Sequence, residues 1–468
     1  MTVLDHDLVG LRTLLQSGQI SARELMQETL AQIERENPRV NAIMSMLDED
    51  ACLDAAQAAD DADDTTVALH GIPLAIKDLA NAKGLATTMG SPLFPKSPAA
   101  KDDLFVERMR RAGAVIFAKT NTPEFGLGSH TFNPVHGVTG NAYDATKSAG
   151  GSSGGASVAL ATRMTAIADG SDMMGSLRNP AGWNNIYGMR PSWGLVPSEP
   201  LGDTFMHQMA TNGPMARTPT DLAILLSVQA GPDPRQPHGR MAQDFAQDMR
   251  EYSLKSAKIA YLGDWGLPYQ DGILEITETA VNDLVALGAQ VDRISPPFNM
   301  KALWDSWVQL RHWSVASSLS VFYHDETKRS LLKPAALWEI ENGLAMTGAQ
   351  IHAASLVRSQ WFAKAASLFS EYDALILPSA QCWPFDVNLV RPSEIAGVAM
   401  DTYHRWMQVV IPAGLIGLPV VNLPIGFGSS GLPAGLQLIG ARGADAKLLG
   451  MAQSWHMAHP YSDIKPTA

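Results

Sequence analysis

A short polar stretch, ADGSDMMGSLRNP at residues 168–180, holds side chains that could attack a carbonyl group. Neither a helical period nor a strand alternation accounts for it. A turn through Met173, Met174 and Gly175 can aim successive backbone N–H groups at one oxygen atom, as an oxyanion hole requires. Ser176 follows at once, and its hydroxyl is the candidate nucleophile.

The segment GSSGG at residues 151–155 is a second candidate, because it matches the G-x-S-x-G turn that exposes a nucleophilic serine, here Ser153. Such a turn follows a buried strand, whereas this one follows the polar, loop-like NAYDATKSA, so we reject it. A flexible linker and a nest of backbone N–H groups that binds phosphate stay open. The linker is disfavoured because an apolar helical segment follows, and a Walker-type phosphate loop would need Gly-Lys-Ser/Thr.

Lys77, after the apolar run GIPLAI, is the third candidate. A lysine in this position often extends its ammonium group to solvent. If an apolar pocket encloses it instead, desolvation penalises the ammonium form and favours a neutral amine, which can act as a general base. From this lysine alone, the sequence favours the solvent-exposed alternative.

Alternating strand and helix patterns must position these three segments. The first unit is a buried strand, a helix that Gly113 closes and a second strand, in VALHGIPLAIKD, DDLFVERMRRAG and AVIFAK. The pattern repeats in KIAYLG, ETAVNDLVALG and QVDRI, and strands return in DALILP, PVVNLPIGF and AGLQLIG. This alternation predicts an α/β fold with a central mixed, mostly parallel twisted sheet that helices cover on both faces.

We expect a single large catalytic domain, because no low-complexity linker divides the chain and no repeat is evident. Ser21 and Glu24 fit a capping box at the start of an N-terminal helix. The Trp- and Ala-rich segment from about 300 to 370 has few turn signals, which indicates helices. The predicted parts are N-terminal helices (1–60), a catalytic core (65–235), a variable, largely helical insertion (236–370) and a return to the core sheet (371–468).

The chain of 468 residues has 35 basic and 47 acidic residues, a net charge of −12 and no basic block. This charge disfavours nucleic acid and anionic membranes as partners. Two cysteines, Cys52 and Cys382, exclude a disulfide framework and favour reduced thiols. The N terminus lacks the features of a signal peptide, and no apolar run reaches the roughly 18 residues of a membrane span. We therefore expect a cytoplasmic protein.

Long motifs run in order along most of the chain: GIPLAIKD, GLATTMGS, AKTNTPEFGLGS, SAGGSSGGASVALA, DGSDMMGSLRNPAGWNNIYGMRPSWG, YDALILPS and GLPVVNLPIGF. Together they closely resemble the amidase signature family. The resemblance is least distinctive from about 235 to 370. It implies the amidase signature fold and a hydrolase that cleaves carboxylic amides.

The resemblance also implies a Ser–Ser–Lys triad. The nucleophile falls on Ser176, the bridging serine, usually on a cis peptide bond, on Ser152, and the base on Lys77. A serine hydroxyl needs a base at neutral pH, and a neutral lysine amine would accept its proton through the bridging serine. The backbone N–H groups from Met173 to the nucleophile would hold the oxyanion. This chemistry needs no metal and no organic cofactor.

Four further residues have supporting roles by the same resemblance. Ser153 would hydrogen-bond the triad lysine, and Ser171 keeps the hydroxyl that the family commonly has as threonine. Asp172 and Arg178 flank the nucleophile and would pin its turn as a buried ion pair. These positions therefore belong to the predicted site without taking part in bond cleavage.

Met174 departs from the family, which commonly has glycine at this position. The backbone N–H remains, but the side chain adds a thioether and makes a positive φ unfavourable. The departure puts the geometry of the turn and the size of the acyl pocket in question. The bulky residues that follow, Trp183, Asn184 and Asn185, are expected to be structural.

The sequence leaves the substrate open. Members of the family cleave aliphatic, aryl, fatty, carbamate-like and cyclic amides, and some are subunits that release ammonia from glutamine for charged tRNA. Tryptophans of the helical insertion could line an apolar pocket, although aromatic residues at helical spacing more often lie in a core; they are Trp304, Trp307, Trp313, Trp338 and Trp361. We expect an uncharged small, aryl or cyclic amide as the substrate and a homodimer as one possible assembly. The alternatives are a non-catalytic binding protein on the same fold and an amidotransferase subunit that hydrolyses glutamine.

Overall fold

The computed structural model describes residues 2–62 and 64–467. Its strands are β1 (Ile43–Met44), β2 (Pro73–Lys77), β3 (Val115–Thr120), β4 (Phe132–Asn133), β5 (Gly137–Val138), β6 (Ile167–Asp172), β7 (Tyr187–Arg190), β8 (Thr211–Ala216), β9 (Lys258–Tyr261), β10 (Gln290–Arg293), β11 (Ala374–Pro378), β12 (Glu394–Ile395), β13 (Val398–Ala399), β14 (Val420–Phe427) and β15 (Pro433–Ile439). Its helices are α1 (Leu8–Gln16), α2 (Ala22–Val40), α3 (Glu49–Asp60), α4 (Leu104–Arg111), α5 (Gly154–Ala161), α6 (Asn179–Trp183), α7 (Pro219–Gln229), α8 (Phe245–Asp248), α9 (Ile273–Ala286), α10 (Met300–Tyr323), α11 (Glu326–Arg329), α12 (Pro334–Leu344), α13 (Gly348–Leu368), α14 (Ile411–Leu415) and α15 (Asp445–Ala458).

The predicted capping box opens helix α2. The Ser21 hydroxyl accepts a hydrogen bond from the Glu24 backbone N–H at 3.1 Å, and the Ser21 N–H donates to the Glu24 carboxylate at 2.8 Å. These bonds satisfy two of the backbone donors that a helix start leaves free. The helix buries Met26 and Ile33 in the same apolar cluster as Phe117 of β3. The N-terminal helices are thereby fixed to the strands that lead to the site.

Strands β2 and β3 form the parallel pair that the first strand–helix–strand unit predicts. They belong to a three-stranded sheet in which β1 runs antiparallel to β3. Helix α4 makes the connection and buries Phe105, Val106 and Met109. All residues of β2 are buried, so the strand carries its last residue, Lys77, into the interior beside β6.

The main sheet has eight strands in the order β10-β9-β11-β15-β14-β7-β8-β6. It is mixed, as predicted, but the prediction that it is mostly parallel is wrong. Only the pairs β10–β9 and β9–β11 are parallel, and the other neighbours are antiparallel. The parallel pairs lie where helices connect the strands, whereas a tight turn joins β14 to β15 and permits antiparallel pairing. Strand β6 was also missed, because its polar sequence has no alternation of apolar residues.

Helices cover both faces of the main sheet, as the sequence predicts. Along β11, Ala374 and Ile376 pack into one apolar cluster with helices α7, α9 and α15, whereas Leu375 and Leu377 pack into a second with α10 and α13. Successive side chains of a strand point to opposite faces, so these two clusters lie on the two sides of the sheet. The site lies near the second cluster, which contains Met174.

Helices α10, α12 and α13 pack against one another in the segment where the sequence predicts helices. Trp304, Trp307 and Trp361 are buried in the apolar cluster, which confirms that they belong to the core. Trp313 and Trp338 are partly buried, and they line two separate cavities. Within the described residues, none of the helices combines the length and apolar character needed to cross a membrane.

Candidate active site

Three segments bring polar side chains together around one amine. The Lys77 Nζ atom lies 2.8 Å from the Oγ atoms of Ser152 and Ser153, which precede α5, and 3.1 Å from Ser171 Oγ on β6. Lys77 is only 1% exposed. The solvent-exposed alternative, which the lysine alone favoured, is therefore wrong. Its side chain is enclosed because β2 is buried along its whole length.

Burial changes the protonation of this lysine. Desolvation lowers the pKa of Lys77 to about 7, although the nearby carboxylates of Asp169 and Asp172 act in the opposite direction. The amine hydrogen-bonds serine hydroxyls and no carboxylate among the described residues, so no direct ion pair holds its proton. A large fraction of the amine is therefore neutral near neutral pH and can accept a proton.

Asp169 is a site residue that the sequence analysis missed. Its Oδ1 atom accepts the backbone N–H of Lys77 at 2.9 Å, and burial raises the pKa of this carboxyl group to about 6. Asp169 and Ser171 are two residues apart on β6 and so share one face of the strand. A period of two within ADGSD was the available signal, but no apolar residues alternate with these polar ones.

The GSSGG segment packs tightly against neighbouring backbone. The Gly151–Ser152 peptide bond is cis, the geometry that the family resemblance implied. The Ser129 hydroxyl donates to the Gly151 carbonyl at 2.7 Å, and a Cβ atom on Gly155 would overlap the backbone of Asn121. Close packing thus accounts for the glycines and excludes a flexible linker. Ser153 is fully buried against the lysine amine, so it is no exposed nucleophile.

The turn after β6 places its left-handed residue at a glycine. Gly175 has φ of 80°, and a Cβ atom there would lie 2.9 Å from Val410. Met174 does not need a positive φ, and its side chain is 4% exposed in the apolar cluster that contains Val410. The departure from glycine at Met174 is therefore compatible with this turn, because its side chain has a packed apolar environment.

Asp172 ties this turn to the protein interior. Its carboxylate accepts the backbone N–H groups of Gly175 at 2.9 Å and Leu177 at 3.1 Å. The predicted pair with Arg178 is bidentate, with distances of 3.0 Å from Nε and 2.9 Å from Nη2. Burial raises the pKa of Asp172, but the guanidinium groups of Arg178 and Arg190 outweigh it and hold the pKa well below its usual range.

These contacts correct one part of the predicted oxyanion hole. The Gly175 N–H already donates to Asp172, so it is committed to holding the turn. The backbone N–H groups of Met173, Met174 and Ser176 donate to no other described residue. Arg190, which the sequence analysis missed, lies 3.3 Å from Asp172 Oδ1 and adds a second cation to the pair.

Ser152 and Ser176 line one cavity of about 280 Å³. No hydrogen bond joins their two hydroxyls within residues 2–62 and 64–467, although the Ser153 N–H donates to the Ser176 carbonyl at 3.3 Å and links their loops. Much of the cavity lining is apolar and consists of Leu79, Met89, Phe125, Leu127, Val315 and Leu319. The nucleophile candidate therefore faces a space suited to a small, mostly apolar molecule.

The lining of this cavity also contains a buried arginine that the sequence analysis did not identify. Arg311 on α10 lines the cavity and is 4% exposed. Its Nε atom lies 2.7 Å from the Glu339 carboxylate, and its Nη2 atom lies 2.7 Å from the Tyr403 hydroxyl. It belongs to the least distinctive part of the sequence, and a single arginine among tryptophans gave no signal of this position.

Other predicted features lie away from the reaction space. The Trp183 indole N–H donates to the Cys382 carbonyl at 3.2 Å, and the Asn184 amide donates to the Ala149 carbonyl at 2.8 Å, so both hold structure. Asn185 donates to the Tyr461 carbonyl at 2.6 Å, which is also structural. Both cysteines are free and buried. Among the described residues, no group of His, Cys, Asp and Glu has the arrangement of a metal site.

Known proteins resemble this chain in sequence and in structure. Residues 24–449 match the sequence model of the family described as Amidase. An acylamidase from Rhodococcus erythropolis is 29% identical over 457 residues, which span 96% of this chain and 94% of that protein. A glutamyl-tRNA(Gln) amidotransferase subunit from Picosynechococcus is 31% identical over 482 residues, with 94% and 96% covered. The crystal structure of a bacterial aryl acylamidase of the amidase signature enzymes superposes with a TM-score of 0.91 at 28% identity, covering 98% of this chain and 97% of that one.

Proposed function

Because this chain belongs to the amidase signature family, we propose that it hydrolyses the C–N bond of an uncharged carboxylic amide through an acyl-enzyme on Ser176. Its homologues hydrolyse C–N bonds other than peptide bonds, and the chain is an enzyme of this class. The observation that carries the proposed mechanism is the buried Lys77 amine, 2.8 Å from Ser152 Oγ and beside the cavity that Ser176 lines.

In the proposed first half-reaction, the Ser176 hydroxyl attacks the amide carbon and passes its proton to Ser152, which passes a proton to the neutral amine of Lys77. Apo enzymes often lack catalytic hydrogen bonds that form with substrate, so the bond between the two hydroxyls is expected to form in the complex. The tetrahedral intermediate then collapses, the C–N bond breaks, and the relay returns the proton to the leaving amine. The acyl group remains on the serine as an ester.

In the second half-reaction, a water molecule attacks this ester by the same route. The relay takes one proton from the water and returns it to the Ser176 oxygen, which releases the carboxylic acid. In both steps the negative oxygen would be held by the free backbone N–H groups of Met173, Met174 and Ser176. Gly175 contributes through its conformation, since its N–H is bound to Asp172.

The supporting residues keep the reacting groups in place. Ser153 and Ser171 also hydrogen-bond the lysine amine, at 2.8 and 3.1 Å. Asp172 and Arg178 hold the turn that presents the nucleophile, because the ion pair is buried and bidentate. These four residues act by positioning, so their loss should reduce the rate without removing the reaction.

An aryl amide is the substrate class we favour among small, aryl and cyclic amides. The apolar residues of the cavity lining suit an aromatic ring, and the likeness to the aryl acylamidase structure covers nearly the whole chain. A cyclic amide is supported by a likeness to 6-aminohexanoate cyclic dimer hydrolase, at 25% identity and a TM-score of 0.86. No protein or nucleic acid partner is needed for this activity, and a cytoplasmic location and a homodimer stay predictions.

A fluorophosphonate probe tests the nucleophile, and acetanilide hydrolysis tests the activity. We expect the probe to label Ser176 in the intact protein, which peptide mass spectrometry would locate. Ser176→Ala should abolish both labelling and aniline release, with Ser157→Ala as a buried serine control outside the cavity. An unlabelled Ser176 in folded protein would favour the non-catalytic alternative.

A glutamine-hydrolysing amidotransferase subunit is the second candidate function. A relative named as a subunit of glutamyl-tRNA(Gln) amidotransferase is 31% identical over 94% of this chain. The net charge of −12 disfavours direct contact with tRNA. Ammonia release from glutamine, together with copurification of a partner subunit from the native host, would support this function; release of aniline but not ammonia would reject it.

A further inference from the structure

We propose that Arg311 determines substrate specificity by donating a hydrogen bond to a neutral acceptor oxygen of the substrate, outside the bond that is cleaved. The inference rests on the proposed amide hydrolysis and adds the chemical class of amide. Arg311 is 4% exposed and lines the same cavity as Ser152 and Ser176. A guanidinium group in this cavity is a fixed donor that a bound substrate must either satisfy or leave unpaired.

Hydrogen bonds from Nε and Nη2 hold this guanidinium group rigidly. Nε donates to Glu339 Oε1 at 2.7 Å, and Nη2 donates to the Tyr403 hydroxyl at 2.7 Å. The Trp307 ring lies 5.2 Å from Cζ and supports the guanidinium plane. The side chain therefore has little freedom to turn away when a substrate enters, so its orientation can discriminate between substrates.

The remaining nitrogen of this guanidinium group, Nη1, lacks a strong hydrogen-bond acceptor. Among the described residues, Nη1 contacts Met173 Sδ at 3.0 Å and no oxygen atom. A thioether is a weak acceptor, so a substrate oxygen at this position would replace a poor hydrogen bond with a good one. Met173 is three residues before Ser176, so the Arg311 donor contacts the turn that carries the nucleophile.

The charge balance favours a neutral oxygen over a carboxylate. Glu339 already neutralises Arg311 at 2.7 Å, and it also accepts from His312 Nδ1 at 2.6 Å. A substrate carboxylate at Nη1 would bring a second negative charge close to Glu339, whereas an ether or ketone oxygen would not. Together with the apolar residues of the cavity lining, this predicts an uncharged, mostly apolar amide with one acceptor oxygen.

Pairs of substrates that differ by one oxygen test the inference. Methoxyacetanilide and butyranilide differ by O against CH₂ on the acyl side, and N-acetyl-4-methoxyaniline and N-acetyl-4-ethylaniline differ similarly on the amine side. For each pair we measure the ratio of kcat/KM in the wild type and in Arg311→Lys. The intrinsic reactivity of each substrate does not depend on the enzyme, so it cancels when the wild-type ratio is compared with the variant ratio. A changed ratio therefore reports the contact between Arg311 and the substrate oxygen.

We expect Arg311→Lys to lower the preference for oxygen about tenfold in at least one pair, since a hydrogen bond to a charged donor is lost or misplaced. Arg358→Lys is the matched control, because this half-buried arginine lines a different groove; its ratios should equal the wild-type ratios. The double variant Arg311→Met/Glu339→Gln removes the ion pair as a unit and repeats the test should the single variant fail to fold.

Three outcomes separate the inference from the function on which it rests. If the wild type hydrolyses the anilides and neither ratio moves in either Arg311 variant, the inference is wrong and amide hydrolysis stands. If the wild type prefers malonanilate, which carries a carboxylate, to methoxyacetanilide, the neutral-acceptor part is wrong. If the wild type hydrolyses no amide at all, the proposed function itself fails.

Discussion

Two buried basic side chains line or adjoin the cavity, and their surroundings favour a neutral amine at one and a charged guanidinium group at the other. Lys77 is surrounded by serine hydroxyls, and desolvation lowers its pKa to about 7. Burial also lowers the pKa of Arg311, but Tyr403 and the Glu339 carboxylate outweigh it and raise the pKa above its ordinary value. Burial alone therefore does not decide protonation. A direct carboxylate partner keeps a cation charged, and a shell of hydroxyls allows an amine to become neutral.

Removing the neutral amine is expected to have the largest effect. Lys77→Met should lower kcat/KM for acetanilide by about 10³-fold, because the reaction would lose its proposed general base. Initial rates of aniline release at neutral pH measure this loss. A decrease of less than about tenfold would show that another group accepts the proton.

Lys119→Met is the matched control for this change. Lys119 is also fully buried, but it hydrogen-bonds Thr87 at 3.0 Å and lies 3.7 Å from the Asp78 carboxylate. We expect a lower thermal midpoint, with kcat of the folded protein within about threefold of the wild type. An equal loss of activity in both variants would mean that the two lysines act only through stability.

Breaking the charged pair should affect stability more than chemistry. Glu339→Gln leaves the Arg311 guanidinium without its carboxylate, and we expect a loss of about 3–5 kcal/mol in the free energy of unfolding. Urea denaturation measures it. The double variant Arg311→Met/Glu339→Gln should recover much of this loss; if it is no more stable than the single variant, the unpaired charge is not the cause.

The pH dependence of activity distinguishes the titration of Lys77 from that of Arg311 within one enzyme. In the proposed mechanism the active form of Lys77 is neutral, so kcat/KM should rise about tenfold per pH unit below the pKa of about 7 and level off above it. Arg311 stays protonated throughout this range and adds no inflection. A profile that is flat from about pH 5.5 to 8 would contradict the neutral-base mechanism.

Removing the Tyr403 hydroxyl beside the Arg311–Glu339 ion pair is expected to have the smallest effect. Tyr403→Phe removes a donor to Glu339 and an acceptor for Arg311, but the ion pair remains. We expect a loss of about 1–3 kcal/mol in the free energy of unfolding, since both partners keep other hydrogen bonds. An effect as large as that of Glu339→Gln would mean that Tyr403 holds the arrangement and the carboxylate does not.

The sequence predicted the groups around Lys77 far better than the wall around Arg311. The resemblance to a known family assigned Lys77, Ser152 and Ser176. In the structure Ser152 and Ser176 line one cavity, and the Lys77 amine contacts the Ser152 hydroxyl. From Lys77 alone, the sequence favoured exposure, because a lysine that follows an apolar run often extends its ammonium group to solvent. The structure encloses it because β2 packs against β6, a strand that the sequence analysis missed. Tertiary contacts decided what local pattern could not.

The errors in the sheet and in the turn have similar causes. Parallel pairing was predicted correctly where a helix connects two strands, as in β2–β3 and β9–β10, and wrongly extended to strands that tight turns connect. The Gly175 N–H was predicted to face the oxyanion, but Asp172 accepts it. Both outcomes depend on which partner a backbone group finds in three dimensions.

One wall of the cavity comes from a single helical stripe, and this has a consequence for engineering. Arg311, Ser314, Val315, Ser318 and Leu319 follow the spacing of one face of α10. The loops that carry Ser152 and Ser176 are fixed elsewhere, by glycine contacts and by Asp172. A library that randomises Ser314, Ser318 and Leu319 should therefore reshape the cavity for new amides while the groups of the proposed proton relay keep their geometry.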